Sequence, residues 1–260
     1  MCRFLAWTGA ARHLDEFVFK GDQCLVAQSR HALIGKTPLN GDGFGLAWYT
    51  DRGTPCIYKD LNPAWSDSNL KQIAYHTKAQ LFLAHVRAST SMAVSRNNSH
   101  PFGVGPWCFM HNGQVGGHLR IRQALDAMIP ADLYERRNGA TDSEAIFLIA
   151  AGGGLDREPV AAMARAVGRV ETLARENGET PFMRFAACWT DGKRVFAARY
   201  ASDRFAPSLY YKVQQGGVII CSEPLAEAET WIEVPPGSAI ETDGKALKFH
   251  EFAPMSLQPA

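Results

Sequence analysis

The order in which hydrophobic periods change along the chain constrains its fold most. Short apolar runs of strand length open the sequence, helix-period runs fill the middle, and short β-rich runs return in the last third. Cys2–Thr8, Gly43–Tyr49, Pro55–Lys59, Gln80–Val86 and Trp107–His111 read as strands, the second and third paired around Thr50-Asp51-Arg52-Gly53. Ser66–Lys78 reads as a helix capped by Ser66, with Leu70, Ile73, Ala74 and Thr77 on one face. Thr141–Ala151 opens with the capping-box pattern Thr141-Asp142-Ser143-Glu144. Across Arg157–Asn177, Val160, Met163, Ala164, Val167, Val170 and Ala174 recur at helical spacing, and Gly152-Gly153-Gly154 separates the two helices. Phe182–Thr190, Arg194–Arg199, Ser208–Val213 and Gly217–Cys221 return to strand, with Asp191-Gly192 as a hairpin turn. Two sheets packed together with helices outside bury all of these faces. The expected fold is therefore α+β, a four-layer αββα sandwich of two mainly antiparallel sheets flanked by helices. No internal repeat or low-complexity linker interrupts the 260 residues, so one domain over 1–260 is expected.

The net charge of +1 leaves no polycationic face for nucleic acid. No apolar run reaches the roughly 18 residues that span a bilayer, and the start of the chain lacks a signal-peptide layout. A cytoplasmic enzyme without membrane contact is the expectation. The six cysteines are scattered with no C-x-x-C pair, so a disulfide framework is not expected. Cys108, Cys188 and Cys221 sit in apolar runs as small buried hydrophobes. Cys108 with His85, His100 and His111 does not follow the spacing of a structural zinc site. No metal and no cofactor are expected.

Cys2 stands directly behind the initiator. If Met1 is removed, Cys2 carries a free α-amine beside its thiol. Such an amine titrates near pH 7.7–8.0, against about 10.4 for a lysine. A nucleophile and a base then share one residue, and no separate histidine is needed.

Three further segments bear on this reading. They are Leu83-Ala84-His85-Val86-Arg87-Ala88-Ser89-Thr90 with Asn98-Ser99-His100-Pro101-Phe102, then Met110-His111-Asn112-Gly113-Gln114, then Thr141-Asp142-Ser143-Glu144. With an N-terminal Cys, in this order, they resemble the class II glutamine amidotransferases of the N-terminal-nucleophile (Ntn) hydrolase superfamily. The resemblance covers roughly residues 1–225. Met1-Cys2-Arg3-Phe4-Leu5, Asn40-Gly41-Asp42-Gly43-Phe44-Gly45 and Cys221-Ser222-Glu223-Pro224-Leu225 look like a stand-alone branch of that family. This branch includes γ-glutamyl hydrolases and the amidotransferase-like subunit of a glutathione-degrading complex.

The resemblance implies an amidohydrolase that cleaves a γ-glutamyl amide through a Cys2 thioester. Cys2 would be the nucleophile, with Asn112 and the Gly113 N–H as the oxyanion hole. A glycine at 113 would let the backbone donor come close to the reacting centre. Arg87 would hold the substrate carboxylate, Asp142 its ammonium, and Thr90 and His100 would be further substrate contacts. Taken alone, Arg87 is equally a surface cation and Asp142 a first-turn carboxylate favoured by the helix dipole. His85 and His100 read as residues that order the Arg87 loop. Ala88 and Ser91 stand where other branches carry Trp and His, so the pocket wall near the substrate backbone differs. The glycine-rich segment at 41–45 precedes a strand pattern, so it reads as a turn beside the active site and not as a nucleotide loop. The expected partner is a small γ-glutamyl compound. No synthase domain is expected after the amidohydrolase domain. Alternatives are a partner-dependent glutaminase or a glutamine-binding regulatory subunit that serves a separate protein, and a homo-oligomer stays open.

Overall fold

The computed structural model describes residues 2–254, apart from 36, 90–92 and 227–229. The chain opens with β1 (Arg3–His13) and the short helices α1 (Asp15–Val18) and α2 (Leu25–Arg30). The hairpin β2 (Phe44–Tyr49) and β3 (Pro55–Asp60) follows, then α3 (Ser68–His76) and β4 (Lys78–Val86). A short strand β5 (Phe102–Val104) precedes β6 (Trp107–Val115). The helical middle comprises α4 (His118–Asp126), α5 (Ala131–Tyr134), α6 (Asp142–Gly152) and α7 (Pro159–Glu176). The last third supplies β7 (Met183–Thr190), β8 (Val195–Ala201), β9 (Tyr210–Gln214), β10 (Gly217–Cys221) and β11 (Ile232–Glu233). It ends in β12 (Ser238–Thr242) and β13 (Leu247–Glu251).

The strands form two sheets, ordered β11-β9-β10-β1-β4-β2-β3 and β13-β12-β8-β7-β6-β5. Every ladder is antiparallel. Strand alternation sorts their side chains into layers. Along β1, Phe4 and Ala6 pack between the sheets with Leu83, Met110, Ala186 and Ile220. Leu5 and Trp7 point the other way, onto Val18 of α1, Leu25 of α2 and Leu70 and Ala74 of α3. On the far side, Phe109, Phe185 and Trp189 pack against Leu125 of α4, Phe147 of α6 and Val167 of α7. The expected four-layer αββα sandwich is what the chain forms. Helix α6 is buried on every side from Ser143 to Ala150, because it lies between its sheet and its helical neighbours.

Local chemistry differs from expectation at several points. The cap of α3 is Asp67, whose carboxylate accepts from Leu70 N at 2.6 Å, while the Ser66 hydroxyl donates to the Pro63 carbonyl. A carboxylate accepts more strongly than a hydroxyl at this position, so the neighbour one residue on wins. Thr141 does cap α6 by accepting from Glu144 N. Glu144 does not return the bond to the cap. Its buried carboxylate accepts instead from Arg137, Asn138 N and Gly139 N. The sequence reading also passed over α1, α2, α4, α5, β5 and β11 to β13, which are short, or polar on much of their surface.

Candidate active site

β1 delivers Cys2 to one end of the inter-sheet layer. The β1–β4 register begins with Arg3 opposite Val86, so Cys2 lies one residue beyond the ladder, beside the chain that leaves β4. Its Sγ is 3.5 Å from Ala88 N, which donates to it, and 3.6 Å from the Ala88 carbonyl. Burial pushes the Cys2 thiol above its usual pKa, and the Ala88 N–H bond opposes this. The resting thiol is therefore protonated at neutral pH and has to lose its proton before it can attack.

Arg87 follows the last residue of β4. Its backbone is held on both sides by the 42–43 turn: Arg87 N donates to the Gly43 carbonyl at 2.9 Å, and Asp42 N donates to the Arg87 carbonyl at 3.0 Å. Asp42 also accepts from Ser89 N at 2.7 Å. Gly43 has φ +102°, a region that L side chains rarely adopt, and an added Cβ would crowd the Asp60 carbonyl. The glycine-rich segment is thus the turn beside the site that the sequence reading expected. The Arg87 side chain is buried. Its Nη2 donates to Ser89 Oγ at 3.3 Å, and its Nη1 has no hydrogen-bond partner among the described residues.

Strand β6 brings Asn112 and Gly113 to the same place. Asn112 is buried, and among the described residues neither its amide nitrogen nor its amide oxygen has a partner. A buried amide left unsatisfied on both ends is costly in a core, and such groups gather where a ligand completes them. Gly113 pairs with Phe185 of β7, and an added Cβ would collide with the Arg184 carbonyl and the His111 ring. Close packing against the neighbouring strand therefore demands glycine here, whatever the substrate requires. The His111 Nε2–H donates to that same carbonyl at 3.2 Å, so Nδ1 is the acceptor for the Ser143 hydroxyl at 2.9 Å. Burial lowers the His111 pKa and holds the ring neutral.

Asp142 begins α6. One carboxylate oxygen accepts from Val115 N at 2.8 Å and the other from Ser143 N at 2.8 Å. These bonds fix the carboxylate at the helix N-terminus and across from the end of β6.

A cavity of about 140 Å³ is lined by Cys2, Arg87, His100, Asn112, Gly113 and Asp142. Six of the seven expected site residues thus share one enclosure. Thr90 and Ser91 lie outside the described residues. Ser89, Asn98, His118 and Ser143 also line the cavity and were not singled out by the sequence reading as site residues. His118 opens α4 directly after Gly116-Gly117, which was the available signal. His85 lies behind the wall: its ring packs at a tilt against His100, centroids 4.3 Å apart, and His100 meets Phe102 edge-on at 4.6 Å. Burial lowers the His85 pKa to about 3 and drives that of His100 well down, so both rings are neutral packing elements. Among the described residues no group of three or more His, Cys, Asp or Glu is placed to hold a metal ion. Among them, too, no helix is long and apolar enough to cross a membrane.

The model of the family described as Glutamine amidotransferases class-II matches residues 17–207. This chain belongs to the class II glutamine amidotransferases. Among curated proteins, the "Probable glutamine amidotransferase DUG3" of Saccharomyces cerevisiae is 31% identical over 96% of this chain and 84% of its own length. The "Gamma-glutamyl-hercynylcysteine sulfoxide hydrolase" of Mycolicibacterium smegmatis is 27% identical over 90% of this chain and 92% of its own. A solved glutamine aminotransferase class-II domain protein from Silicibacter pomeroyi is 38% identical, with TM-score 0.78 over 97% of this chain and 100% of its own. The family match begins at residue 17 and does not include Cys2.

Proposed function

We propose that this class II amidotransferase hydrolyses a γ-glutamyl amide through a Cys2 thioester, after loss of Met1, within a single domain over 1–260. The Cys2 α-amine takes the thiol proton, and Sγ bonds to the δ-carbon of the glutamyl group. The carbonyl electron pair moves onto oxygen, which receives hydrogen bonds from Asn112 Nδ2 and Gly113 N. Collapse breaks the C–N bond, and the leaving amine takes the proton back from the α-ammonium. Water then adds to the thioester as the amine accepts its proton, the C–S bond breaks, and glutamate leaves. Arg87 pairs with the substrate α-carboxylate and Asp142 with its ammonium, with His100 as a cavity wall.

The observation that carries this reading is the pair of buried donors without a partner among the described residues, Arg87 Nη1 and the Asn112 amide, in the cavity that Cys2 lines. The cavity, near 140 Å³, is well below the roughly 300–1,000 Å³ of drug-sized sites. It suits the glutamyl half of a substrate, with the leaving group toward the mouth. A γ-glutamyl compound fits the printed name of the mycolicibacterial relative. The donors all belong to this chain, so the reading needs no partner subunit to complete the oxyanion hole.

Glutamate release from glutamine, glutathione and γ-glutamylcysteine, by protein of verified N-terminal mass, tests the reaction. Release from at least one compound is expected. The same assay with Arg87→Ala is expected to raise KM about 10²-fold or more and to change kcat less, because a charge-assisted pair to the carboxylate is made equally in ground and transition states. An unchanged KM would remove Arg87 from that role.

A further inference from the structure

The nucleophile's residue has an anchoring problem that the catalytic groups do not solve. Once Met1 is gone, Cys2 is attached to the chain on one side only, and it lies outside the β1–β4 ladder. A terminal residue in that position frays unless it is tied down. The tie is Arg3, whose side chain is 1% exposed. Arg3 Nη1 donates to the Cys2 carbonyl at 2.8 Å, and Arg3 Nε donates to Glu223 Oε2 at 2.7 Å. Glu223 is equally buried. It accepts from Leu33 N at 2.9 Å and Ile34 N at 3.0 Å, so the 33–34 segment and the N-terminus share one carboxylate. The neighbouring Ser222 hydroxyl accepts from Phe4 N at 2.9 Å, and Ser222 N donates to the Phe4 carbonyl at 3.0 Å. Gln28 Nε2 donates to the Glu223 carbonyl at 3.2 Å and holds the clamp's own backbone.

We propose that Arg3 and Glu223 are positioning residues for catalysis: a buried clamp that fixes the Cys2 backbone so that its thiol and amine face the cavity. The inference rests on Cys2 as nucleophile. A buried ion pair is weak evidence for stability, because desolvation offsets most of the attraction. Its directed donors are well suited to fixing one backbone conformation. Losing Nη1 frees the Cys2 carbonyl, and rotation about the Cys2 backbone swings the α-amine and the thiol together. Misplacement of a reacting group by about 1 Å can cost on the order of 10²-fold in rate. The groups that bind the glutamyl end, Arg87 and Asp142, are held by other bonds and stay in place.

Arg3→Met, Arg3→Lys, Glu223→Gln and Cys2→Ala test this, each checked by N-terminal mass so that Met1 removal is established. The readouts are kcat and KM for glutamate release, the glutamate Kd, the melting temperature, and the rate of alkylation by a diazoketone analogue of glutamine. Arg3→Met is expected to lower kcat and the alkylation rate about 10–100-fold, with KM and glutamate Kd within about 2-fold of wild type. Arg3→Lys is expected to recover part of the loss, since one ammonium can still reach one of the two acceptors. Glu223→Gln keeps one acceptor oxygen, for Leu33 N or for Ile34 N and Arg3 Nε but not for both, and covers the case in which Arg3→Met does not fold. It is expected to lower kcat more than glutamate affinity, with a lowered melting temperature because it also breaks a buried ion pair. Wild-type kcat in both Glu223→Gln and Arg3→Lys overturns the clamp, as does a kcat loss matched by equal losses of glutamate affinity and melting temperature. Inactive Cys2→Ala beside fully active clamp variants defeats this inference alone. Active Cys2→Ala defeats the thioester reading beneath it.

Discussion

Cys2→Ala is expected to abolish glutamate release, by at least about 10³-fold, while γ-glutamyl substrate still binds within a few-fold of wild type. The substitution removes the thiol proposed to form the thioester. It leaves Arg87, Asp142 and the Asn112 amide, the groups proposed to contact the glutamyl end, as they are. The α-amine also survives at residue 2, so water could in principle be activated directly. That route lacks the covalent intermediate and should be slow, because a positioned base alone typically contributes about 10²–10⁴-fold. Initial rates with Cys2→Ala, together with substrate affinity from calorimetry, make the check. Cys2→Ser separates geometry from nucleophilicity: the side chain keeps its shape, but an alcohol proton is far harder to remove than the buried thiol's. Activity equal to wild type in Cys2→Ala would end the assignment. Protein that retains Met1 is expected to behave like Cys2→Ala, because its α-amine is displaced from the thiol.

Much of this architecture is legible in the sequence, for identifiable reasons. β4 and β6 are long apolar runs buried on both faces, so pattern alone exposes them. Thr141 caps its helix as its residue type predicts, and Gly192, with φ +84°, turns the β7–β8 hairpin where Asp191-Gly192 signalled it. What escaped was either local competition or long-range pairing. Asp67 outcompetes Ser66 for one cap, and a composition rule does not rank adjacent candidates. Helices α1 and α2 have four and six residues, too few for a period to show, and their stability comes from docking onto Leu5 and Trp7. The candidate site residues are motif positions, and six of the seven line one cavity. The reason for one of them differs: glycine at 113 is imposed by the Arg184 carbonyl of the next strand. The Arg3–Glu223 pair joins residues 220 apart, so only the fold reveals it.

Asn112→Ala is expected to lower kcat about 10²–10³-fold with little change in KM, since a donor aimed at a developing oxyanion acts mainly in the transition state. The structure makes the test unusually clean. The Asn112 amide makes no hydrogen bond to the described residues, so its removal strands no buried group among them. Folding stability is expected to hold or to rise slightly, because the variant deletes a buried polar group that lacks a partner. The backbone half of the hole survives, as Gly113 is fixed by pairing with Phe185 and not by the Asn112 side chain. Asn112→Asp sharpens the point. The shape is kept, but a carboxylate can only accept, and its charge opposes the oxyanion, so it should be worse than alanine. A melting curve and a kcat and KM determination on both variants settle the matter. If kcat stays near wild type in Asn112→Ala, the oxyanion is held elsewhere. If KM alone rises, Asn112 binds ground-state substrate and the unpartnered amide serves recognition instead of catalysis.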